Sequence, residues 1–321
     1  MDYHYLLKNI HDTHCHLSID VTQQDVDELQ VHWDKLELNA GFFRLMSTNH
    51  IDLEFVSQLA GKQYIFPYYG IHPWFSHLFG FGGDKKSHYH DVLVPPPSPE
   101  LLAVLPEPID VREYMKKVRK LAQGNHTPND TSPTTPSTVL STADTNDATT
   151  HTAGIGEIGL DKLFKIPNNG FLGQGPSTGL SPSRTSMAHQ EAIFRIQLSL
   201  AQELQLPVSI HCVKAHGAVF DIMKDYDLPK IILHSFSGSR DQAKLWIKTF
   251  SQVYFSFSHY INGSKDLEGL LEVVGDKFLI ETDVSINKPG YEQQLQGIFG
   301  DIKEGGYSEE EIISIVQRNA S

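Results

Sequence analysis

The chain has 321 residues with 26 basic and 39 acidic side chains, a formal net charge of −13, and 40% hydrophobic residues. This composition is enough for a sizeable buried core, so a wholly disordered chain is excluded, and no run reaches the roughly 18 apolar residues of a membrane helix. The acidic balance argues against duplex binding through a broad basic face. The two cysteines, Cys15 and Cys212, cannot form a disulfide framework, and the start of the chain lacks a secretory signal pattern. We therefore expect an intracellular protein, cytoplasmic and/or nuclear, with no membrane partner.

Short apolar runs recur along the whole chain and predict strands. They cover residues 10–16, 41–47, 64–71, 153–158, 206–212, 230–235, 252–257 and 277–283. Amphipathic patterns typical of helices lie between most of them, most clearly over 109–123, 187–204, 239–249 and 262–274. Strands that alternate with helices predict a parallel sheet, which either a (β/α)₈ barrel or an open doubly wound sheet provides.

Three segments interrupt this alternation. Residues 124–153 are rich in Thr and Pro and contain no Lys, Arg or Glu, so we predict a disordered insert. Residues 167–185 are rich in Gly, Pro and Ser and predict a flexible loop, and 76–108 predict a third long excursion. Without the first two, the chain is close to the roughly 250 residues of one (β/α)₈ barrel. We predict a single barrel domain over 1–321 with low-complexity loop inserts.

Six potential metal ligands lie at or beside the ends of predicted strands. They are His14, His16, Glu157, His211, His234 and Asp283. Because alternate residues of a strand share a face, His14 and His16 point the same way. The carboxyl ends of parallel barrel strands gather at one mouth, so all six side chains are expected to converge there. Four imidazoles and two carboxylates in that arrangement predict a binuclear metal site with a bridging carboxylate.

Several segments resemble the TatD family of metal-dependent nucleases, which belongs to the amidohydrolase-like barrels. They are DTHCHL (12–17), GIHPW (70–74), GEIGLD (156–161), LPVSIH (206–211), HSFSGS (234–239) and ETD (281–283), in the family's order along nearly the whole chain. The resemblance implies a (β/α)₈ barrel of the metallo-dependent hydrolase type, two divalent cations and hydrolysis of DNA phosphodiesters. It implies that His14, His16, Glu157 and Asp283 hold one metal, and that Glu157, His211 and His234 hold the other.

The catalytic hypothesis rests on this ligand set. Glu157 bridges the two ions, and Asp283 both ligates a metal and orients or deprotonates the attacking water. The histidine-rich set suits Zn²⁺ or Mn²⁺ better than Mg²⁺, which prefers oxygen ligands. TatD family members are usually described as Mg²⁺-dependent, so Mg²⁺, Mn²⁺ and Zn²⁺ are all candidates.

Two further residues are candidates for substrate binding. The family places the histidine of GIHPW, here His72, near substrate phosphate, while Trp74 either stacks on a nucleobase or packs the barrel rim. The family usually has an arginine two residues after the strand-five histidine, but Val213 stands there and Lys214 follows. Lysine supplies a point charge where arginine would supply a bidentate clamp. Glu281 is interpreted as a group that supports the site or as an ordinary carboxylate of the barrel interior. Cys15 and Cys212 are interpreted as packing residues beside their histidine neighbours.

Two other functions are compatible with the same sequence. The departures and the Thr/Pro-rich insert resemble a fungal branch of the family, whose members are described as partners of a TPR subunit of the anaphase-promoting complex. That resemblance implies a scaffold that binds a protein partner, with 124–153 as the docking element. A third interpretation retains the metals but hydrolyses an ester or amide. For the nuclease interpretation, the acidic chain favours single-stranded DNA or DNA ends as the substrate.

Overall fold

The structure is a computed structural model that describes residues 2–124, 153–173, 179–263 and 266–321. Within these residues, eight strands form one parallel sheet. They are β1 (Asp12–His16), β2 (Phe43–Met46), β3 (Ile65–Tyr69), β4 (Gly154–Asp161), β5 (Val208–Val213), β6 (Ile231–Leu233), β7 (Val253–Phe257) and β8 (Phe278–Ile280). They are hydrogen-bonded in chain order, and every neighbouring pair is parallel.

The first and last strands meet, so the sheet curls into a barrel. The Thr13 hydroxyl donates to the Ile280 carbonyl at 2.9 Å, and the Asp283 N–H donates to the His14 carbonyl at 3.0 Å. The buried Asp12 carboxylate accepts the N–H and hydroxyl of Thr282 at 3.0 and 2.7 Å. An open doubly wound sheet leaves its edge strands apart, so the barrel prediction is confirmed.

Helices connect the strands and surround the barrel. They are α1 (Tyr3–Asn9), α2 (Gln23–Trp33), α3 (Asp52–Leu59), α4 (Lys85–Val92), α5 (Pro99–Val104), α6 (Val111–Ala122), α7 (Met187–Leu204), α8 (His216–Met223), α9 (Arg240–Thr249), α10 (His259–Asn262), α11 (Leu267–Val274), α12 (Tyr291–Glu304) and α13 (Glu309–Ala320). Side chains begin several of them: Thr22 with Asp25 and Ser308 with Glu311 form reciprocal capping boxes. The predicted amphipathic stretch over 262–274 differs from the structure, which has α10 and α11 as separate helices.

Helix α7 shows how one helix serves both the core and the site. Its apolar residues Ile193, Phe194 and Leu198 are buried, and truncation of Phe194 to alanine is expected to cost about 3–5 kcal/mol. Its buried polar residues hold backbone near the mouth of the barrel. The Gln197 side-chain amide accepts the Ile71 N–H at 2.6 Å and donates to the Ile71 carbonyl at 3.2 Å. Gln190 does the same for Asp161, at 2.8 and 2.9 Å. The segments that carry His72 and Asp161 are therefore fixed by one helix.

The predicted excursions pack on each other. Residues 76–108 contain α4, α5 and short extended segments, of which Leu93–Val94 pairs antiparallel with Arg184–Thr185 of the predicted loop 167–185. A small second core packs the first excursion against Ile166, directly before the predicted loop, and consists of Tyr89, Val92, Leu93, Leu101, Leu105 and Ile166. The Thr/Pro-rich segment predicted over 124–153 lies outside the described residues except for Gly124 and Ala153, and residues 174–178 of the loop also lie outside them.

Candidate metal centre

The structure brings the six predicted ligands together at the carboxyl ends of the strands. His14 and His16 lie on β1, Glu157 on β4 and His211 on β5. His234 directly follows β6, and Asp283 lies three residues after the end of β8. Glu157 is at the centre: its side chain is 3% exposed, and each of its two oxygens faces a different group of nitrogens. We call these groups the Oε2 side and the Oε1 side.

The Oε2 side consists of His14, His16 and Asp283. Both histidine Nε2 atoms lie 3.2 Å from Glu157 Oε2, and they lie 3.1 Å from each other. Asp283 Oδ1 is 3.5 Å from His16 Nε2 and 4.0 Å from His14 Nε2. This side is partly open, because the Asp283 side chain is 24% exposed.

The Oε1 side consists of His211 and His234, with His72 beside them. His211 Nδ1 lies 2.8 Å and His234 Nε2 lies 2.9 Å from Glu157 Oε1, and the two nitrogens are 3.2 Å apart. His72 Nε2 lies 3.0 Å from the same oxygen. All of these side chains are buried.

Hydrogen bonds at the far nitrogens orient three of the four histidines. His211 Nε2 donates to Asp161 Oδ2 at 3.3 Å, and His234 Nδ1 donates to Glu281 Oε1 at 3.3 Å. His14 Nδ1 lies 2.8 Å from the Ser209 hydroxyl. In each ring the other nitrogen faces Glu157. A far-side partner of this kind fixes the tautomer and leaves a lone pair for a cation.

Asp161 is the residue that the sequence reasoning missed. It ends β4, and because residues i and i+4 of a strand share a face, it lies on the same face as Glu157. The apolar pattern predicts that this strand ends at 158, whereas it continues to Asp161 as a fully buried segment. Besides His211, Asp161 Oδ2 accepts the indole N–H of Trp74 at 2.7 Å, and Oδ1 accepts two backbone N–H groups. Glu281 contacts the far nitrogen of His234, which is the position that a supporting group would occupy.

Charge pairing in this buried cluster is strong. Burial opposes the charged form of Glu157, but the surrounding histidines outweigh it and hold the pKa of Glu157 well below its ordinary value. Burial also opposes protonation of His16, yet Asp283 and Glu157 raise its pKa to about 10. The pKa of His234 is likewise raised by Glu157 and Glu281 against the effect of burial. Asp283, paired with His16, has its pKa lowered to about 2 despite burial. Both carboxylates are thus ionised at neutral pH.

Three residues at the mouth adopt left-handed backbone conformations. Lys214, Ser235 and Asp283 have φ of 54°, 40° and 55°, and each follows a barrel strand. A left-handed backbone is costly for such residues and persists only where the surroundings impose it. The Ser235 hydroxyl donates to Glu281 Oε1 at 2.6 Å and lies 3.2 Å from Asp283 Oδ2. The Ser235 turn therefore brings its hydroxyl into contact with the carboxylates of Glu281 and Asp283.

The donor set fits divalent cations. The Oε2 side places two imidazole nitrogens and two carboxylate oxygens around one point, and the Oε1 side places two imidazole nitrogens and the other Glu157 oxygen around a second. Such mixed nitrogen and oxygen sets suit Zn²⁺ or Mn²⁺. Among the described residues, the buried Glu281 Oε2 has no hydrogen-bond partner, as expected for a group whose partner is an ion or a water.

Comparison with known proteins agrees with this geometry. The family model described as TatD related DNase matches residues 11–321. The chain belongs to the TatD-related DNase family. It is therefore a metal-dependent hydrolase of the TatD deoxyribonuclease type, as the resemblance predicted.

Two curated relatives and one solved structure illustrate the family. An uncharacterized deoxyribonuclease of Saccharomyces cerevisiae is 36% identical over 264 residues, which cover 76% of this chain and 75% of the relative. The Cut9-interacting protein scn1 of Schizosaccharomyces pombe is 30% identical over 328 residues, covering 86% and 87%. The crystal structure of a TatD homologue from Escherichia coli has a TM-score of 0.59 at 17% identity, covering 98% of this chain and 97% of that one, and supports the fold.

The two predicted substrate-binding residues both border the TatD-type centre. His72 is buried at the start of the 3₁₀ helix Pro73–Leu78, and its Nδ1 accepts the Trp74 N–H at 3.1 Å. Lys214 is exposed and lines an open cleft of about 570 Å³ together with His211, His234 and Asp283. Trp74 packs against the rim: its ring stacks on Phe164 with centroids 5.0 Å apart, and its N–H is occupied by Asp161. The packing interpretation of Trp74 is therefore the one that the contacts favour.

In the described part of the chain, no helix combines the length and apolar character needed to cross a membrane.

Proposed function

We propose that this TatD-type hydrolase cleaves DNA phosphodiester bonds with two divalent cations, one on each side of Glu157. The observation that carries the proposal is the division of the Glu157 carboxylate: Oε2 faces the His14 and His16 nitrogens at 3.2 Å, and Oε1 faces the nitrogens of His211, His234 and His72 at 2.8–3.0 Å. His14, His16, Asp283 and Glu157 would hold one cation, and Glu157, His211 and His234 the other.

The cations would supply the Lewis acidity that makes a water nucleophilic near neutral pH and offsets charge on the phosphoryl group. Asp283 is the carboxylate placed to accept the proton of that water. It lies on the open side of the centre and lines the cleft, whereas Glu157 is enclosed by histidines. With a pKa lowered to about 2, Asp283 is ionised throughout the physiological range.

His72 is proposed as a phosphate donor and not as a metal ligand. Because its Nδ1 accepts the Trp74 N–H, the neutral ring carries its proton on Nε2. Burial lowers the pKa of His72 to about 4 against the pull of Glu157, so the ring is neutral at pH 7. A protonated nitrogen has no lone pair for a cation. The Nε2–H lies 3.0 Å from Glu157 Oε1, to which it donates in the structure, and with substrate bound it would donate to a phosphate oxygen. Lys214, which lines the cleft, adds a positive charge.

The substrate is proposed to be single-stranded DNA or DNA ends. A net charge of −13 disfavours long-range attraction of duplex DNA, while a strand end can reach the cleft directly. We place this activity inside the cell, in the cytoplasm and/or nucleus, where such substrates arise.

The test is hydrolysis of end-labelled single-stranded DNA by metal-stripped protein to which Mg²⁺, Mn²⁺ or Zn²⁺ is returned in turn. Glu157→Ala provides the blank. We expect metal-dependent cleavage that the blank lacks, and we expect Asp283→Asn to abolish turnover while the melting temperature is retained. Full activity of Asp283→Asn would contradict its role as the base. Absence of cleavage with every metal, in folded and metal-loaded protein, would refute the nuclease proposal.

A second candidate function is binding of a protein partner. It is favoured by the Schizosaccharomyces pombe relative that is named for its interaction with Cut9. The proposed docking element, 124–153, lies almost wholly outside the described residues. Deletion of 124–153 tests it: loss of partner capture with unchanged hydrolysis is the expected result, and unchanged capture would exclude the insert as the docking element.

The ester or amide interpretation uses the same centre with another bond. A panel of carboxylic esters and amides, assayed beside the DNA with the same metals and the same Glu157→Ala blank, separates the two. Turnover of the panel without DNA cleavage would replace the nuclease proposal.

A further inference from the structure

A cluster of three cations lies beside the metal centre, outside the site described above. Lys162, Lys165 and Arg184 line an open groove of about 530 Å³ together with Val94 and Pro95. Lys162 is exposed, and Lys165 and Arg184 are half-buried. We call this feature the basic groove.

The basic groove is joined to the metal centre through β4. Lys162 directly follows Asp161, whose carboxylate contacts His211 at 3.3 Å. The Lys162 N–H donates to the Val213 carbonyl at 3.1 Å, which places the start of the groove between the ends of β4 and β5. Lys214, the next residue after Val213, lines the cleft of the metal centre. The groove and the cleft therefore begin on adjacent strand ends.

The two excursions build the outer wall of the groove. Arg184 Nη1 donates to the Lys162 carbonyl at 3.0 Å, and Arg184 lies on the two-residue strand that pairs with Leu93–Val94. The small core around Tyr89 includes Leu93, from the paired segment, and Ile166, the residue after Lys165. The positions of the cations are thus set by packing between segments.

The cations of the groove are unneutralised in an acidic protein. None of the described residues that line the groove is Asp or Glu, and the described ion pairs include none of its three cations. Elsewhere on the surface, Arg119, Arg195 and Arg240 are each paired with a carboxylate. Like charges that are held together without counterions favour binding of a polyanion.

We infer that the basic groove binds backbone phosphates of the nucleic-acid strand whose scissile diester lies at the metal centre. This inference rests on the proposed nuclease function and deepens it, because it gives the strand a direction away from the centre. The groove contacts phosphates and not bases, so it adds affinity for longer strands without sequence preference.

The test compares two double variants with the same change of charge. Lys162→Gln/Lys165→Gln removes two cations of the groove, and Lys85→Gln/Lys86→Gln removes two cations from a cleft that also contains Asp84 and Glu107. Arg184 is left in place because its bond to the Lys162 carbonyl holds the wall. Binding of a fluorescent oligothymidylate is measured by anisotropy in EDTA, where no cleavage occurs, over a range of salt concentrations.

We expect the groove variant to reduce the steepness of the fall of log affinity with log salt. The reduction is about 0.7 for each phosphate that is no longer neutralised, up to about 1.4 for the two substitutions. The control variant is expected to leave the slope unchanged. With metal returned, kcat/KM for the oligomer is expected to fall about tenfold in the groove variant, while kcat/KM for a thymidine dinucleotide, whose single diester occupies only the centre, stays unchanged.

Equal behaviour of the two variants, or no binding of the oligomer to the wild-type protein, would overturn the inference. If the wild-type protein cleaves DNA but the variants are alike, the groove fails and the nuclease proposal stands. If no metal supports cleavage but the groove variant alone loses salt-dependent binding, the groove is retained as a nucleic-acid surface and the nuclease proposal fails.

Discussion

The two sides of Glu157 differ in how their histidines are held. On the Oε1 side, both histidines donate a hydrogen bond to a carboxylate from the ring nitrogen that points away from Glu157. His211 donates to Asp161, and His234 donates to Glu281. On the Oε2 side, His14 has only the Ser209 hydroxyl, and the buried His16 Nδ1 has no hydrogen-bond partner among the described residues. The Oε2 side also contains Asp283, which is the most exposed member of the centre.

This difference indicates separate roles for the two sides, one in retaining a cation and the other in the reaction with substrate. A carboxylate behind a histidine raises the basicity of the ring and fixes its orientation, so we expect a cation on the Oε1 side to be held more tightly. We expect the Oε2 side, with fewer supports and an open carboxylate, to exchange its cation and to meet substrate. The following predictions test this comparison.

The largest effect is expected from the residue that the two sides share. Glu157→Gln removes the only carboxylate between them, and we expect kcat to fall by at least about 10³-fold, because loss of one preorganised electrostatic group already costs that order. Metal content measured by inductively coupled plasma mass spectrometry should fall on both sides together. Retention of one full equivalent would show that one side binds its cation without Glu157.

A smaller effect is expected from Asp161→Asn. The neutral amide supports His211 less well, so affinity for the tighter cation should fall about 10–100-fold in titrations against a chromophoric chelator. Ser209→Ala is the matched change behind His14 and should weaken the other cation less, because it removes a neutral partner. A greater loss in Ser209→Ala would reverse the assignment of the two sides.

The pH dependence of metal binding follows from the raised pKa values. In the metal-free protein His16 has a pKa of about 10 and is protonated at pH 7, so a cation that binds there must displace that proton. The affinity for the cation should therefore rise with pH up to about pH 10. Each displaced proton is worth about tenfold in affinity per pH unit. The pKa of His14 is lowered by burial, and His14 should release none. Calorimetry in buffers of different ionisation enthalpy counts the protons; zero release would contradict the pairing of His16 with Asp283 and Glu157.

The smallest effect is expected at Trp74. Trp74→Phe retains a ring against Phe164 but removes the N–H bond to Asp161, worth about 1 kcal/mol, so affinity on the Oε1 side should fall only about fivefold. Phe164→Leu is the control, since it keeps the N–H bond and removes the ring contact. It should lower the melting temperature and leave metal affinity unchanged.

Much of the fold follows from the sequence because the signals are local and repeated. Each of the eight predicted strands overlaps an observed one, and the helix predicted over 187–204 has the observed bounds Met187–Leu204. The strand predicted over 153–158 is too short because Asp161 is an acidic residue in a buried strand, which its partners Trp74 and Gln190 make possible. Those partners come from distant parts of the chain and leave no local pattern.

The sequence predicts the members of the candidate site but not the groups that support them. The six predicted ligands share one property, their position at or beside strand ends, which the sequence spacing indicates. Asp161 and Ser209 act through contacts across the barrel, and the left-handed turns at Ser235 and Asp283 occur at non-glycine residues that carry no local signal for them. The roles of all these residues as ligands, bases or supports stay predictions until the metal experiments are done.

The seam between β1 and β8 has a consequence for the time at which the protein becomes active. The Asp283 N–H bonds to the His14 carbonyl, so the Oε2 side joins two residues that are far apart in the order of synthesis. A nascent chain that has not yet reached β8 contains His14 and His16 but has no Asp283 to set beside them. With Asp283 as the proposed base, we expect hydrolytic chemistry to begin only after the last barrel strand has emerged and folded.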